Sequence, residues 1–459
     1  MSNSASYQLA VIGSGAGGKE AAILAAGNGL RVVLIEKSAL GGTSFHRGYY
    51  SVRAFRAYAE AIRERAKSPA VHFHEPLSKT DLPVWAHIQH QVSARLEREF
   101  TDTLNRTGIA VRFGRASLID RNRVRVESNQ GEPETILADN IIVATGSRPA
   151  FDGHALGSRF VNIDQLLQLA YLPKRLLILG GGYIGCEIAS IFRSLGCAVD
   201  LIEKQHLLPD WDVFIGGHIA RALHSSGVGL HLGQEADLQH PGGTSEEPSF
   251  PVDGGVTVSG DLVLVASGRK PNVEGLGLDR VKVITDPFIL VDECLRTSVP
   301  NIFGVGDVNG FGLMDSVAVA QARVAVGAIL GKKTQFSKRS VPRCAHTDPP
   351  VASVGWTEEE VVRAGLSVTA HSDTFTCVTE DEKSVIDPVP MMVKILVDTQ
   401  SRMILGVHAI GRHSADIVNA ATLAMKSGTT VDDLSEITFV HESAAEILQE
   451  LATKVRSLL

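Results

Sequence analysis

The stretch that most constrains this chain runs from Leu9 to Arg53. It opens with LAVIGSGAGG, an apolar run that reads as a buried parallel strand and ends in Gly13, Gly15 and Gly18 at GxGxxG spacing. An alanine-rich helix follows, and then a second apolar run, RVVLIE, closes on Glu36. Strand, glycine turn, helix and terminal acid together make the βαβ unit that binds a dinucleotide. Gly13 permits the tight turn, Gly15 lets the backbone approach a pyrophosphate, and Gly18 lets helix and strand pack closely. The first N–H groups of the helix have no partner within it and face the phosphates. Glu36 is placed to accept from the hydroxyls of an adenosine ribose.

A second unit begins at Arg175 with RLLILGGGYIGCEIA. Its glycines are Gly180, Gly182 and Gly185, and the following strand, AVDLIE, ends on Glu203. Two such units in one chain imply two dinucleotides on two domains. The length, 459 residues, allows two or three cores. A formal charge of -7 argues against a general nucleic-acid surface. No apolar run approaches a membrane span, so a soluble cytoplasmic protein is expected. The five cysteines, Cys186, Cys197, Cys294, Cys344 and Cys377, lack metal or CxxC spacing and read as buried thiols.

Directly after the first unit comes GGTSFHRGYYSVRAF. This segment resembles the FAD-dependent pyridine nucleotide disulfide oxidoreductases, the group of dihydrolipoamide dehydrogenase, glutathione reductase and mercuric reductase. Members carry GGTCxxxGCxPSK here, with the two cysteines forming an active disulfide beside the flavin. In this chain those cysteine positions are Ser44 and Tyr49, the proline is Ser51 and the lysine is Arg53. Neither side chain can form a disulfide, so dithiol exchange through this site is chemically excluded. Gly42 and Thr43 keep the cofactor loop, and the resemblance puts Thr43 near the FAD pyrophosphate. Ser44, His46 and Tyr49 then stand where the disulfide would face the flavin.

The resemblance extends along the chain in the family's motif order. IIVATGSRP brings Ala144, Thr145 and Gly146 near the FAD pyrophosphate. In the second unit the resemblance implies that Tyr183 covers the nicotinamide pocket and that Glu187 pairs with the residue at the lysine position, here Arg53, near flavin N5. Glu203 accepts from a free ribose 2'-hydroxyl and repels a 2'-phosphate, which favours NAD over NADP. DLVLVASGRKPN, with Gly268, marks the return to the FAD domain. By the resemblance Asp307 in NIFGVGDV would accept from the ribityl chain of FAD, and a helix from Gly312 follows, with Gln321 and Ala322 in place of the usual acid and glycine. ITFVHESAAEIL keeps His441 and Glu446, a pair that reaches the flavin pocket of the other subunit.

The fold expected is α/β, with two Rossmann-like dinucleotide-binding domains and a C-terminal α+β dimerisation domain. The expected bounds are 1–149 for the first part of the FAD domain, 150–271 for the NAD domain, 272–340 for the second part of the FAD domain, and 341–459 for the dimerisation domain. Local reading adds a helix over 51–67, a polar connection over 68–82, an amphipathic helix over 83–107 and an antiparallel excursion between Ile109 and Ile141. The segment 235–256 reads as a surface excursion. The function implied is a homodimeric FAD-dependent NADH oxidoreductase that passes electrons to a small-molecule acceptor, such as a quinone, another small electrophile or oxygen. Transhydrogenation between nicotinamide pools is the alternative enzyme, a structural or redox-sensing flavoprotein is the alternative of another class, and a dithiol reductase with a cysteine supplied elsewhere is the weakest reading.

Overall fold

Three sheets organise the computed structural model, which describes residues 6–67, 82–128, 131–152, 156–169, 171–377, 389–441 and 443–459. The first strand, Ser6–Ile12, is fully buried over its last four residues, and the strand Val32–Glu36 is buried throughout. They pair in parallel, and Glu134–Val143 adds on the other side, also parallel. That last strand is double-natured: its first half pairs antiparallel with Arg123–Glu127. Arg115–Leu118 continues the antiparallel arm. Ala110–Phe113 does not belong to this excursion, contrary to the expectation from sequence. It pairs in parallel with Val33–Glu36 at the sheet's far edge, because its short turn from the preceding helix points it along the parallel strands. Ile302–Gly304 returns from much later in the chain to pair with Ile141–Val143.

The helix Ala16–Gly27 buries Gly17, Gly18, Ala21, Ala22 and Ala25. These small residues let it lie close to the helix Asp315–Ile329; a Cβ on Gly17 would stand 2.9 Å from Val305 and 3.4 Å from the Ala318 methyl. The latter helix starts at Asp315 with Met314 as its cap, later than the expected Gly312. Gln321 is fully buried and accepts from the Gly306 N–H, which ties the helix to the turn carrying Asp307. The helices Tyr49–Lys67 and Leu82–Thr107 pack beside this unit; the connection 68–81 lies outside the described residues.

A second, wholly parallel sheet runs Gly229–Leu232, Ala198–Glu203, Arg175–Leu179, Leu262–Val265 and Phe160–Val161. The excursion after it is more ordered than its glycine and proline content indicates. Gly242–Gly243, Pro248–Pro251 and Thr257–Ser259 form a small antiparallel sheet, anchored by the fully buried Phe250. The third large sheet is antiparallel, in the order Arg343–Ala345, Val351–Gly355, Ile404–Ile410, Val389–Asp398 and Val368–Cys377. The helices Ser414–Ser427 and Glu446–Arg456 cover one face of it with Ile417, Val418, Leu448 and Leu451. This is α/β architecture with Rossmann-type sheets and a distinct C-terminal α+β unit.

The second and third units meet at a buried charge cluster. Asp212, fully buried at the start of the helix Val213–Ser225, accepts from Lys394 Nζ at 2.8 Å and from the Glu358 N–H at 2.8 Å. His408, also fully buried, lies 3.6 Å from the same carboxylate and contacts Ser353 Oγ through Nδ1. Burial pushes His408 down to about 4, so at neutral pH the imidazole is uncharged. No helix among the described residues is long and apolar enough to cross a membrane.

Candidate functional site

A cavity of about 1020 Å³ opens where the C-terminal ends of the first sheet meet the second unit. Gly13 and Gly15 line it, and Gly18 lies behind them in the helix. A Cβ on Gly18 would lie 1.9 Å from the Gly13 carbonyl oxygen, so only glycine lets the helix start this close to the strand. Gly15 has nothing within 4 Å of its missing Cβ, which leaves open space beside the helix N-terminus. The second unit repeats both features: a Cβ on Gly185 would stand 1.9 Å from the Gly180 carbonyl oxygen, and Gly182 has nothing within 4 Å.

The two strand-terminal acids are held alike. Glu36 accepts from Ser14 N–H at 2.9 Å and Ser38 N–H at 3.0 Å. Glu203 accepts from Gly181 N–H at 2.6 Å and Gln205 N–H at 2.9 Å. Each carboxylate is thereby aimed beside its glycine turn, where a ribose would arrive. Open glycine cradles, free helix N-terminal donors and oriented acids fit two dinucleotides. Gly13, Gly15, Glu36, Gly42, Thr43, Ala144, Thr145, Gly146, Asp307 and Tyr183 line the one cavity, whereas Gly180, Gly182, Gly185, Glu203 and Gly268 lie outside it. Gly268 instead supports the crossing between units, its carbonyl accepting from Ala150 N–H at 3.2 Å.

Asp307 accepts from Ser147 Oγ at 2.6 Å with Arg269 3.9 Å away, and burial raises its carboxyl. Tyr183 donates to the Leu313 carbonyl at 3.0 Å, which holds the ring across the cavity between the two units.

Where the resemblance places a disulfide, the cavity wall is built from other chemistry. The Ser44 hydroxyl donates to Asp315 Oδ2. Arg53 donates to the Tyr49 hydroxyl at 2.8 Å. The expected Arg53–Glu187 pair is not made: Tyr49 and Arg53 lie one turn apart on the same helix face, and the guanidinium finds its partner there. Glu187 accepts instead from the His346 N–H at 2.6 Å, with Arg56 as the cation acting on it. His46 is not brought into the cavity; its Nε2 faces the Leu40 carbonyl at 2.9 Å, across the turn that the short helix Gly42–His46 makes with the preceding loop.

Sequence reading missed three residues of this wall: Asp315, Cys344 and His346. Cys344 stands on the strand Arg343–Ala345 of the C-terminal sheet and His346 directly follows it, in VPRCAHTDPP, but nothing local shows that they face the cavity. The His346 ring lies 5.9 Å from that of Tyr49 and its Nδ1 lies 3.9 Å from Cys344 Sγ. Burial, Arg53 and Arg56 lower His346 to about 4, so the ring is neutral. Cys344 is a cavity thiol that sequence distance had hidden, but burial pushes it up to about 11, and it stays protonated. Cys186 and Cys197 are buried, Cys294 and Cys344 partly so, and these four are free; the Cys377 side chain lies outside the described residues.

Burial raises Glu187 to about 7. An acid raised in the folded state is penalised once the unfolded chain has ionised, so this group destabilises the fold as pH rises from its ordinary value to about 7, and constantly above. Glu187→Gln, which keeps an acceptor for His346 N–H, should raise the melting temperature at pH 8 and leave it nearly unchanged at pH 4. Equal shifts at both pH values would exclude this origin.

His441 and Glu446 form their pair, Nδ1 to Oε1 at 3.1 Å. The His441 side chain is 86% exposed, and neither residue lines the cavity of its own protomer.

The family described as pyridine nucleotide-disulphide oxidoreductase matches residues 7–327, and its dimerisation domain matches residues 341–452. The chain is 32% identical over 457 residues to a dihydrolipoyl dehydrogenase of Chlorobaculum tepidum, covering 98% of this chain and 97% of that protein. It is 31% identical over 454 residues to a soluble pyridine nucleotide transhydrogenase of Vibrio parahaemolyticus, covering 96% of each. The crystal structure of LpdA from Mycobacterium tuberculosis superposes with a TM-score of 0.86 at 25% identity, covering 98% of this chain and 99% of that one. FAD and NAD(H) binding are typical of this group, and the cradles described above fit both. The chain belongs to the pyridine nucleotide-disulphide oxidoreductase family, as an FAD-dependent enzyme that lacks the redox-active cysteine pair.

Proposed function

We propose that this enzyme is a homodimeric NADH oxidoreductase that reduces a small non-disulfide acceptor, a quinone or another small electrophile. The observation that carries this reading is the replacement of both sulfur positions by Ser44 and Tyr49 in a cavity that keeps its nucleotide cradles. Bound FAD supplies the two-electron relay between nicotinamide and acceptor. Around it, Glu203 orients the ribose of NADH and disfavours the 2'-phosphate of NADPH, and Tyr183 gates the nicotinamide face. The Tyr49 and Arg53 hydrogen-bond donors and the neutral His346 ring offer an acceptor carbonyl and an aromatic face what a disulfide would not need. His441, oriented by Glu446, is assigned to the partner's cavity, where its imidazole relays a proton to the acceptor.

Full-length similarity to the Vibrio transhydrogenase favours flavin-mediated transhydrogenation as a second reading. Glu203 opposes it, since one of the two nucleotides would bring a phosphate to that carboxylate.

Anaerobic stopped-flow reduction of the holoprotein by NADH and by NADPH, followed by mixing with a quinone panel, lipoamide, a second nicotinamide or air, separates these readings. Fast NADH reduction with fast reoxidation by a quinone is expected. Reoxidation by the second nicotinamide alone would replace this reading with transhydrogenation, and rapid reduction without a competent acceptor would favour a sensor. In the same experiment His441→Ala should slow reoxidation about a hundredfold and leave flavin reduction unchanged. Equal effects on the two half-reactions would refute its role.

A further inference from the structure

Asp315 opens the helix Asp315–Ile329 with its carboxyl in the cavity, where the Ser44 hydroxyl donates to Oδ2. The pair joins residues 271 positions apart. Each of three acids at this end of the cavity meets different company. Glu187 feels Arg56 and accepts from a backbone N–H; Asp307 has Arg269 at 3.9 Å and accepts from Ser147. Among the described residues the groups acting on Asp315 are Ser44 and Asp307, with no cation among them. Tyr50 and Tyr183 face it in turn, and its charge helps to push both phenols up. Burial raises Asp315 and the Asp307 charge adds to this, while the Ser44 hydrogen bond and the positive end of the helix that Asp315 opens work against it. A carboxylate on which a second carboxylate acts and no cation does takes up a proton more readily when more negative charge enters its cavity.

We propose that the Ser44–Asp315 pair is the proton store of the redox centre: Asp315 takes one proton from solvent as two electrons enter the cavity, and gives it up as they leave. The assignment of the proton's destination rests on the quinone-type acceptor proposed above. NADH delivers a hydride, which is two electrons with one proton. A quinone reduced to its hydroquinone takes two electrons and two protons. The second proton is the one held on Asp315: its O–H bond forms with a proton from water while NADH is oxidised, and breaks as the second O–H bond of the hydroquinone forms. The Ser44 hydroxyl donates to the ionised carboxylate and turns to accept from the protonated acid, so the pair remains bonded in both states.

The test is an equilibrium redox titration of the flavin absorbance in the holoprotein against a reference dye, between pH 6 and 8, with dithionite as reductant. It needs neither NADH nor an acceptor. The reduction equilibrium of the wild type should fall with pH more steeply than that of Asp315→Asn by one proton. That is a further factor of ten per pH unit, or about 30 mV for a two-electron couple. Glu187 is present in both proteins and cancels. Equal slopes would overturn the proposal. If Asp315→Asn does not retain flavin, Ser44→Ala keeps the carboxyl and removes its donor; the pH range of the extra proton should then move upward, and an unmoved range would overturn the proposal equally. Different slopes in a protein that NADH cannot reduce would remove the NADH reading and leave the proton store standing.

Discussion

Lys394→Met is expected to destabilise the fold by about 3–5 kcal/mol, because it leaves the Asp212 carboxylate charged in a dry interface. Asp212 is fully buried and Lys394 is 7% exposed, so solvent cannot replace the ammonium. Burial by itself would raise Asp212, but in the acid range where it titrates His408 carries charge and, with the Lys394 hydrogen bond and the Glu358 N–H, holds it below the ordinary carboxylate range. A carboxylate lowered in the folded state contributes stability that is complete above its unfolded value and is lost as pH falls through the lowered one. Lys394 is raised in the folded state despite its burial, through Asp212 and Glu358, so its contribution is complete below its unfolded value. At pH 7 both contributions are whole, and urea denaturation there reads the full loss. The double variant Lys394→Met, Asp212→Asn removes the stranded charge and should recover most of the stability; a double variant as weak as the single would show that packing, not charge, is what the lysine provides.

The second large effect is expected at Gly18. Its missing Cβ would lie 1.9 Å from a backbone oxygen and 2.9 Å from the carbonyl carbon of Gly13, and backbone cannot step aside as a flexible side chain would. Gly18→Ala must lift the helix start off the strand, an overpacking cost of about 3 kcal/mol, equivalent to roughly a hundredfold in flavin affinity. Purified Gly18→Ala should therefore show both a lowered melting temperature and a lowered ratio of flavin to protein absorbance. Gly15→Ala is the informative contrast. Nothing lies within 4 Å of its Cβ, so the apoprotein should melt as the wild type does, while the methyl occupies space that the pyrophosphate needs. Normal flavin content in Gly15→Ala would mean that the cofactor approaches elsewhere.

Those parts of the molecule that are written in consecutive residues are legible in the sequence alone. Both βαβ units can be read because strand, turn, helix and acid lie within a few tens of residues, and each glycine answers a local steric demand. The redox wall is legible only in half. Ser44 and Tyr49 stand in one motif, but Asp315, Cys344 and His346 arrive from distant segments, and no spacing rule connects residue 44 with residue 315. Arg53 shows the opposite error. Resemblance pairs it with Glu187, yet a tyrosine one helical turn away competes for the guanidinium and wins it locally. The chemistry of His46 suggests a pocket residue, while its ring is committed to a backbone carbonyl. The Asp212–Lys394 contact spans 182 positions and leaves no trace in periodicity, since one lysine in a strand looks like any solvent-facing residue.

The strand Ile302–Gly304 fills its place beside Ile141–Val143 only after the whole second unit has been made. On the ribosome, at typical elongation rates, the nascent first unit waits on the order of ten to thirty seconds with that flank of its sheet unpaired. Over the same interval the helix Ala16–Gly27 lacks the helix Asp315–Ile329, and its row of small residues faces water. The second unit has no such debt, because its five parallel strands all lie between Phe160 and Val265 and can close as soon as they emerge. The inserted unit is therefore expected to fold first although it is synthesised second, and the half-built first unit is the stretch of the newborn chain most in need of a chaperone.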